Sequence, residues 1–132
     1  VKRLAIDVRP GEYAVARLDA DVTVPAALLA PGRTALVSVT RTDGEVSLVC
    51  PVAEVPEGAK ADAGWRLLTV RGPLAFMLTG VIAALSNELA SAGVALVTLS
   101  TFETEHVLVK ETDLARAVRA LQSGGHEVYL PE

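Results

Sequence analysis

The sequence predicts an α+β protein made of tandem ferredoxin-like βαββαβ units, with antiparallel sheets, helices on one face and a degenerate first unit. Three observations carry that prediction. The second half reads strand, helix, strand, strand, helix, strand, which is the βαββαβ order. The first half is mostly strand, with at most one short helix. The stretch "VSVTRTDGEVSLV" (37–49) also lies over "VTLSTFETEHVLV" (97–109) without a gap, at an offset of sixty residues. Each of these stretches reads as a strand, a polar turn and a returning strand, so two copies of one small fold are expected.

The strand-like runs are "LAIDV" (4–8), "YAVARL" (13–18), "TALVSVTR" (34–41), "EVSLVC" (45–50), "WRLLTV" (65–70), "VALVTLSTF" (94–102), "EHVLVK" (105–110) and "EVYL" (127–130). Each is rich in Val, Leu and Thr or alternates in polarity. A helix is expected from Leu78 to Ala92, where Val81, Ile82, Leu85 and Leu89 make an apolar stripe and Gly93 is the stop. A second helix starts behind Thr112 or Asp113 as N-cap, carries Leu114, Ala117, Val118 and Leu121 on one face, and ends at Gly124 and Gly125. A weaker one falls around "VPAALLA". The segment "VPEGAKADAG" has no periodicity and reads as a linker. The expected organisation is therefore residues 1–55 as the degenerate unit, 56–64 as linker and 65–132 as the complete unit.

The 132 residues are 51% apolar and 21% charged, a globular composition. Aromatic residues are only 4%, so the core must come from Val, Leu, Ile and Ala. The formal charge of −4 and scattered Lys and Arg argue against a nucleic-acid surface, which needs a basic stripe. Cys50 is the single cysteine; it sits in an apolar strand-like run, where a buried inert thiol is expected and a multi-cysteine metal cage is impossible. His106 and His126 have no paired ligand spacing, so no metal site is expected. The amino-terminal "VKRLAIDVRPGE" has no signal-peptide core and no long apolar run occurs, so a cytoplasmic protein without a membrane span is expected.

No nucleophile elbow, Walker loop, zinc-binding helix motif or dinucleotide fingerprint is present, so neither a catalytic residue nor a cofactor is assigned. An acid-base enzyme using Glu103 or Glu105 would need a converging partner. The neighbouring His106 should point to the opposite face of its strand from Glu105. The strand-to-helix stretch "TVRGPLAFMLTGV" (69–81) is more informative. Gly72 and Pro73 leave the strand, and Thr79 and Gly80 stand near the helix start, where unpaired backbone N–H groups suit a carboxylate. The next strand ends in "STFETE", whose backbone carbonyls, Ser100, Thr101 and Thr104 hydroxyls and Glu103 and Glu105 carboxylates can accept from an ammonium group. Read without a ligand, the same residues make a helix-packing glycine and a solvated hairpin turn. Arg71 reads as a solvated residue at the strand end.

The stretch "WRLLTVRGPLAFMLTGVIAALSNELASAGVALVTLSTFETEHVLV" resembles the second half of small bacterial ACT-domain proteins, the type found in aspartate kinase regulatory regions and CASTOR-type arginine sensors. The pattern is G-P-L, T-G-V opening the helix, A-G before the second strand, and S-T-F-x-T followed by an acid and V-L-V. "YAVARL" and "SVTRTDGEVSLVCP" look like a degenerate leading ACT unit. The resemblance implies a regulatory sensor that binds a small-molecule amino acid at an ACT–ACT interface, with no catalytic role. It places Gly72, Pro73, Leu74, Thr79, Gly80 and Val81 on the loop side and Ser100, Thr101, Phe102, Thr104 and Glu105 on the strand side. Val39, Thr40 and Arg41 would contribute from the first unit. Met77, where relatives tend to have a small polar residue, and Glu105, in place of the more usual aspartate, depart from the family pattern. A homodimer through ACT units and an effector protein are the implied partners. The alternative is a ligand-free protein–protein interaction module that dimerises through its sheet edges.

Overall fold

The computed structural model describes residues 3–72, 74 and 80–132. Its strands are β1 (Ala5–Val8), β2 (Tyr13–Leu18), β3 (Ser38–Arg41), β4 (Val46–Pro51), β5 (Lys60–Val70), β6 (Leu96–Ser100), β7 (Glu105–Lys110) and β8 (Glu127–Tyr129). The helices are α1 (Val81–Ser91) and α2 (Leu114–Ser123). All eight expected strand runs contain a strand. The "VPAALLA" segment forms only a 3-10 turn at Ala26–Leu29, flanked by Pro25 and closed before Pro31. The chain divides into two compact units, one of Gly11–Trp65 and one that joins Val1–Pro10 to Arg66–Glu132.

That division differs from the expected one in two places. The segment 56–64, read as a linker, contains the start of β5, which pairs antiparallel with β2 from Arg17↔Lys60 to Tyr13↔Trp65. Its Ala, Asp and Gly side chains hide the strand period, yet backbone pairing needs no particular side chain. Residues 1–10 belong with the C-terminal unit because β1 pairs antiparallel with β5 (Ile6↔Val70, Val8↔Leu68) and parallel with β8 (Ile6↔Val128). The βαββαβ order of β5, α1, β6, β7, α2 and β8 holds. Its sheet nevertheless has five strands in the order β6-β7-β5-β1-β8, because β1 is inserted between the first and last strands of that order.

The C-terminal core forms where one face of this sheet meets both helices. Leu4, Ile6, Val8, Leu68, Val70, Val107 and Val109 pack with Val81, Leu85, Leu89, Ala117 and Leu121. The helix stripe read from the sequence supplies the contacts of α1. Both helices end in the same way. Val94 N–H bonds the Leu89 carbonyl at 2.9 Å and His126 N–H bonds that of Leu121 at 3.2 Å, with Gly93 (φ +77°) and Gly125 (φ +93°) in the left-handed region. Asp113 precedes α2 as expected, but its carboxylate goes to Arg116 at 2.6 Å and caps no backbone N–H.

The N-terminal unit orders its strands β3-β4-β2-β5 and has no α-helix among its described residues. Ala16, Leu28, Leu48 and Cys50 form a small core there, with Val24, Val37 and Val39 against it. The hairpins β3–β4 and β6–β7 each have a four-residue turn, because Arg41 pairs with Val46 and Ser100 with Glu105. Thr42 and Thr101 open these turns alike: each backbone N–H bonds the carbonyl of the fourth turn residue at 2.9 Å. The turns therefore match at an offset of fifty-nine, and the buried triplet Leu48, Val49, Cys50 then falls on Val107, Leu108, Val109. The sequence match at sixty is out of register by one, since strands apolar on both faces align almost equally well one residue apart.

Leu89 is fully buried between helix and sheet. Leu89→Ala is expected to cost about 2–5 kcal/mol, and Leu89→Met less than about 1.5, in urea unfolding. Equal losses for the two would show that the site tolerates the missing volume.

Candidate ligand-binding site

The expected site residues separate into those the fold joins and those it does not. At the end of β5, Arg71 N–H still bonds the Ala5 carbonyl at 2.8 Å, so the strand stays paired up to the loop. Gly72 then passes against the β6–β7 turn. A Cβ on it would lie 3.0 Å from the Glu103 carbonyl oxygen and 3.3 Å from Thr104 Cβ, so a side chain here would crowd the turn. Leu74 N–H donates to the same Glu103 carbonyl at 2.8 Å, and the Thr104 hydroxyl donates to the Val70 carbonyl at 2.7 Å. The turn is also closed on itself, with Thr104 N–H donating to Thr101 Oγ1 at 3.3 Å. Loop and turn thus form one hydrogen-bonded patch from Gly72, Leu74, Thr101 and Thr104. Pro73 and Thr79, together with Met77, lie outside the described residues.

Gly80 is the N-cap of α1 at φ +86°, a conformation open to glycine without steric cost. Among the described residues no side chain caps the helix, and a Cβ on Gly80 would meet nothing within 4 Å. Val81, by contrast, is buried in the core, so its expected contribution is limited to its backbone. On the strand side, the Ser100 hydroxyl donates to the Glu105 carboxylate at 2.5 Å, as their cross-strand pairing requires. Phe102 stands at the turn tip with 78% of its surface exposed. The Glu103 carbonyl comes from the backbone expected to offer acceptors, though here it accepts from Leu74 N–H, and the Val70 carbonyl is a contributor that the sequence does not point to. Its side chain carries no signal for a backbone role.

Glu105 and His106 do not converge. His106 lies on the sheet face away from the helices, where its Nδ1 is 3.0 Å from Thr69 Oγ1. Burial, helped by the charge of Arg9, holds the imidazole below its ordinary pKa. Arg71 is half-exposed, but it is paired as well as solvated. It grips Asp7 with two bonds of 2.9 and 2.8 Å and stacks over Tyr129 at 4.0 Å. The Arg71 guanidinium holds the Asp7 carboxyl below its usual range.

Val39, Thr40 and Arg41 lie on β3 in the N-terminal unit. There Arg41 donates to the carbonyls of Ala20 and Val22, the latter at 2.7 Å, and so serves its own unit. Cys50 is buried, and burial pushes its thiol pKa up, away from a reactive thiolate. Among the described residues no cluster of His, Cys, Asp and Glu could hold a metal ion, and no helix is long and apolar enough to cross a membrane.

A family model of the ACT domain matches residues 60–123, and a second model, of an N-terminal domain, matches residues 11–58. The two matched stretches fall close to the two structural units. A solved protein from Agobacterium tumefaciens is 33% identical over 100% of this chain and 96% of its own, with a TM-score of 0.88. A protein of Vibrio cholerae described as a possible transport protein is 17% identical over 92% of this chain and 89% of its own, with a TM-score of 0.70. The ligand-free regulatory subunit of aspartate kinase from Thermus thermophilus is 13% identical over 93% of this chain and 99% of its own, with a TM-score of 0.65. The last two share the fold.

Gly72→Ala is expected to force the turn away from the loop, costing about 1–3 kcal/mol in urea unfolding and shifting the Glu103 and Thr104 amide resonances. An unchanged stability would mean that the turn yields freely. The depressed His106 pKa has its own consequence. Folding stability is complete above the unfolded-state value of about 6.5 and is lost as pH falls from there through the folded value. The loss of urea stability between about pH 7.5 and 5 should therefore be smaller in His106→Gln than in the native protein. Parallel curves would remove His106 from the acid response.

Proposed function

Because this chain belongs to the ACT-domain family, we propose that it is a regulatory protein whose C-terminal unit binds a free amino acid beside the β5–α1 loop. The observation that carries this reading is the patch in which Gly72 and Leu74 lie on the turn of Thr101 and Thr104, in the segment of chain that leads to the start of α1, where no described side chain caps the helix. A helix start without a side-chain cap presents N–H donors and partial positive charge to a carboxylate. The Ser100–Glu105 pair and the turn hydroxyls are acceptors suited to an ammonium group. Pro73, Leu74, Thr79, Gly80 and Val81 would form the loop wall, with Phe102 at the turn tip. Val39, Thr40 and Arg41 would take part through an ACT–ACT interface in a homodimer.

In this reading the protein is a sensor and not a catalyst. Amino-acid binding favours one arrangement of ACT units over another and passes that bias to an effector protein. An amino acid carries a carboxylate suited to the helix start and an ammonium group suited to the turn, and stabilisation by amino acids is what separates this reading from a ligand-free association module.

Purified protein screened by thermal shift against the twenty amino acids should be stabilised by one chemical class of them. The gain should approach about 2.7 kcal/mol at a hundredfold excess over the dissociation constant. Gly80→Asp, which places a carboxylate at the helix start, and Glu105→Ala should both abolish the gain. No stabilisation by any amino acid would overturn the reading in favour of the association module.

A further inference from the structure

His126 is buried at 5% exposure and has no part in the proposed ligand site. It follows the carboxyl end of α2 and leads into β8. Its Nδ1 accepts the N–H of Leu4 at 3.1 Å, which assigns the proton of the neutral ring to Nε2. Nε2 faces the Glu88 carboxylate of α1 at 2.9 and 3.2 Å from its two oxygens. Gly124 belongs to the same arrangement. Its φ of −78° is open to any residue, but a Cβ there would stand 2.6 Å from Glu88 Oε2.

Every element around the ring bears on its charge. From α1 comes the Glu88 carboxylate. From the segment before β1 comes Arg3, whose Nε donates to the Gly125 carbonyl at 2.8 Å. The exposed Glu127 of β8 lies next in the chain, and its N–H donates to the Leu4 carbonyl at 2.9 Å. The end of α2 presents its carbonyls, that of Leu121 accepting from His126 N–H at 3.2 Å. The carboxylate and the carbonyl end of the helix attract a positive ring. The Leu4 N–H opposes it, because a hydrogen on Nδ1 would face another donor.

We propose that His126 is an acid-sensitive latch on the N-terminal strand. A proton taken from solvent at Nδ1 turns the ring from acceptor to donor on that side. Leu4 N–H then loses its partner, and the leading end of β1 is released from β8. Nε2–H remains on Glu88, so α1 and the ring stay joined while β1 loosens. The pH-dependent element is thus the docking of β1 at its first residues, a local opening below the level of global unfolding.

Ring-nitrogen NMR of the native protein should find Nε2–H His126 near neutral pH. With the pH lowered from about 8 to 5 and the same spectra recording the proton arriving at Nδ1, the hydrogen-exchange protection factor of Leu4 should fall roughly tenfold or more, with Ile6 and Val70 much less affected. In His126→Gln the Leu4 protection should become independent of pH over this range, whereas in His106→Gln the fall should persist. A neutral ring protonated at Nδ1, or Leu4 protection that stays constant while His126 titrates, would overturn the proposal. Both measurements on the native protein stand even if the glutamine variant does not fold.

Discussion

The C-terminal unit depends on the insertion of β1 between β5 and β8. Strand β8 sits at the edge of the sheet, and its described ladder is the parallel one with β1. The insertion also places Leu4, Ile6 and Val8 into the layer under the helices, where each is almost completely buried. Burying such side chains is worth about 1.5–3 kcal/mol apiece, comparable to a sizeable share of the net stability of a small domain. The strand is short, yet it satisfies the backbone of two neighbours and completes the apolar face at once.

The same strand organises the polar chemistry of the opposite face. Asp7 and Tyr129 lie side by side on β1 and β8, and together they hold the guanidinium of Arg71 as it leaves β5. With Arg71 held there and its N–H on the Ala5 carbonyl, the chain enters the loop from a defined point. Gly72 can then lie flat against the β6–β7 turn. Space for that contact exists because residue 72 has no Cβ, a packing requirement and not a conformational one. The candidate patch is therefore positioned by backbone pairing first and by its own side chains second.

The two hairpins show what a shared motif does and does not carry. Thr42 and Thr101 close equivalent turns, and each N–H makes the same bond to the fourth residue. Only the second turn is followed through to a helix-bearing loop packed against it, since the first unit has 3-10 turns where the C-terminal unit has helices. A turn motif alone is a way of reversing a strand. It becomes part of a candidate site where the tertiary fold brings the loop of Gly72 and Leu74 across it.

The positions of the eight strands, both helices, the apolar stripe of α1 and the opposite facing of Glu105 and His106 are legible in the order of residues alone. These are local consequences of period and of glycine, and they need no partner to be read. The glycine and hydroxyl pattern around the two turns also pointed to Gly72, Thr101 and Thr104, and the family resemblance added Leu74. The place of β1, the relative registers of the hairpins, the strand that starts within residues 56–64, and the backbone carbonyls of Val70 and Glu103 that bind the patch together emerge from the folded chain. Those features rest on pairing between segments far apart in sequence and on main-chain atoms that every residue shares. A single chain of letters carries no mark of which distant backbone will answer which.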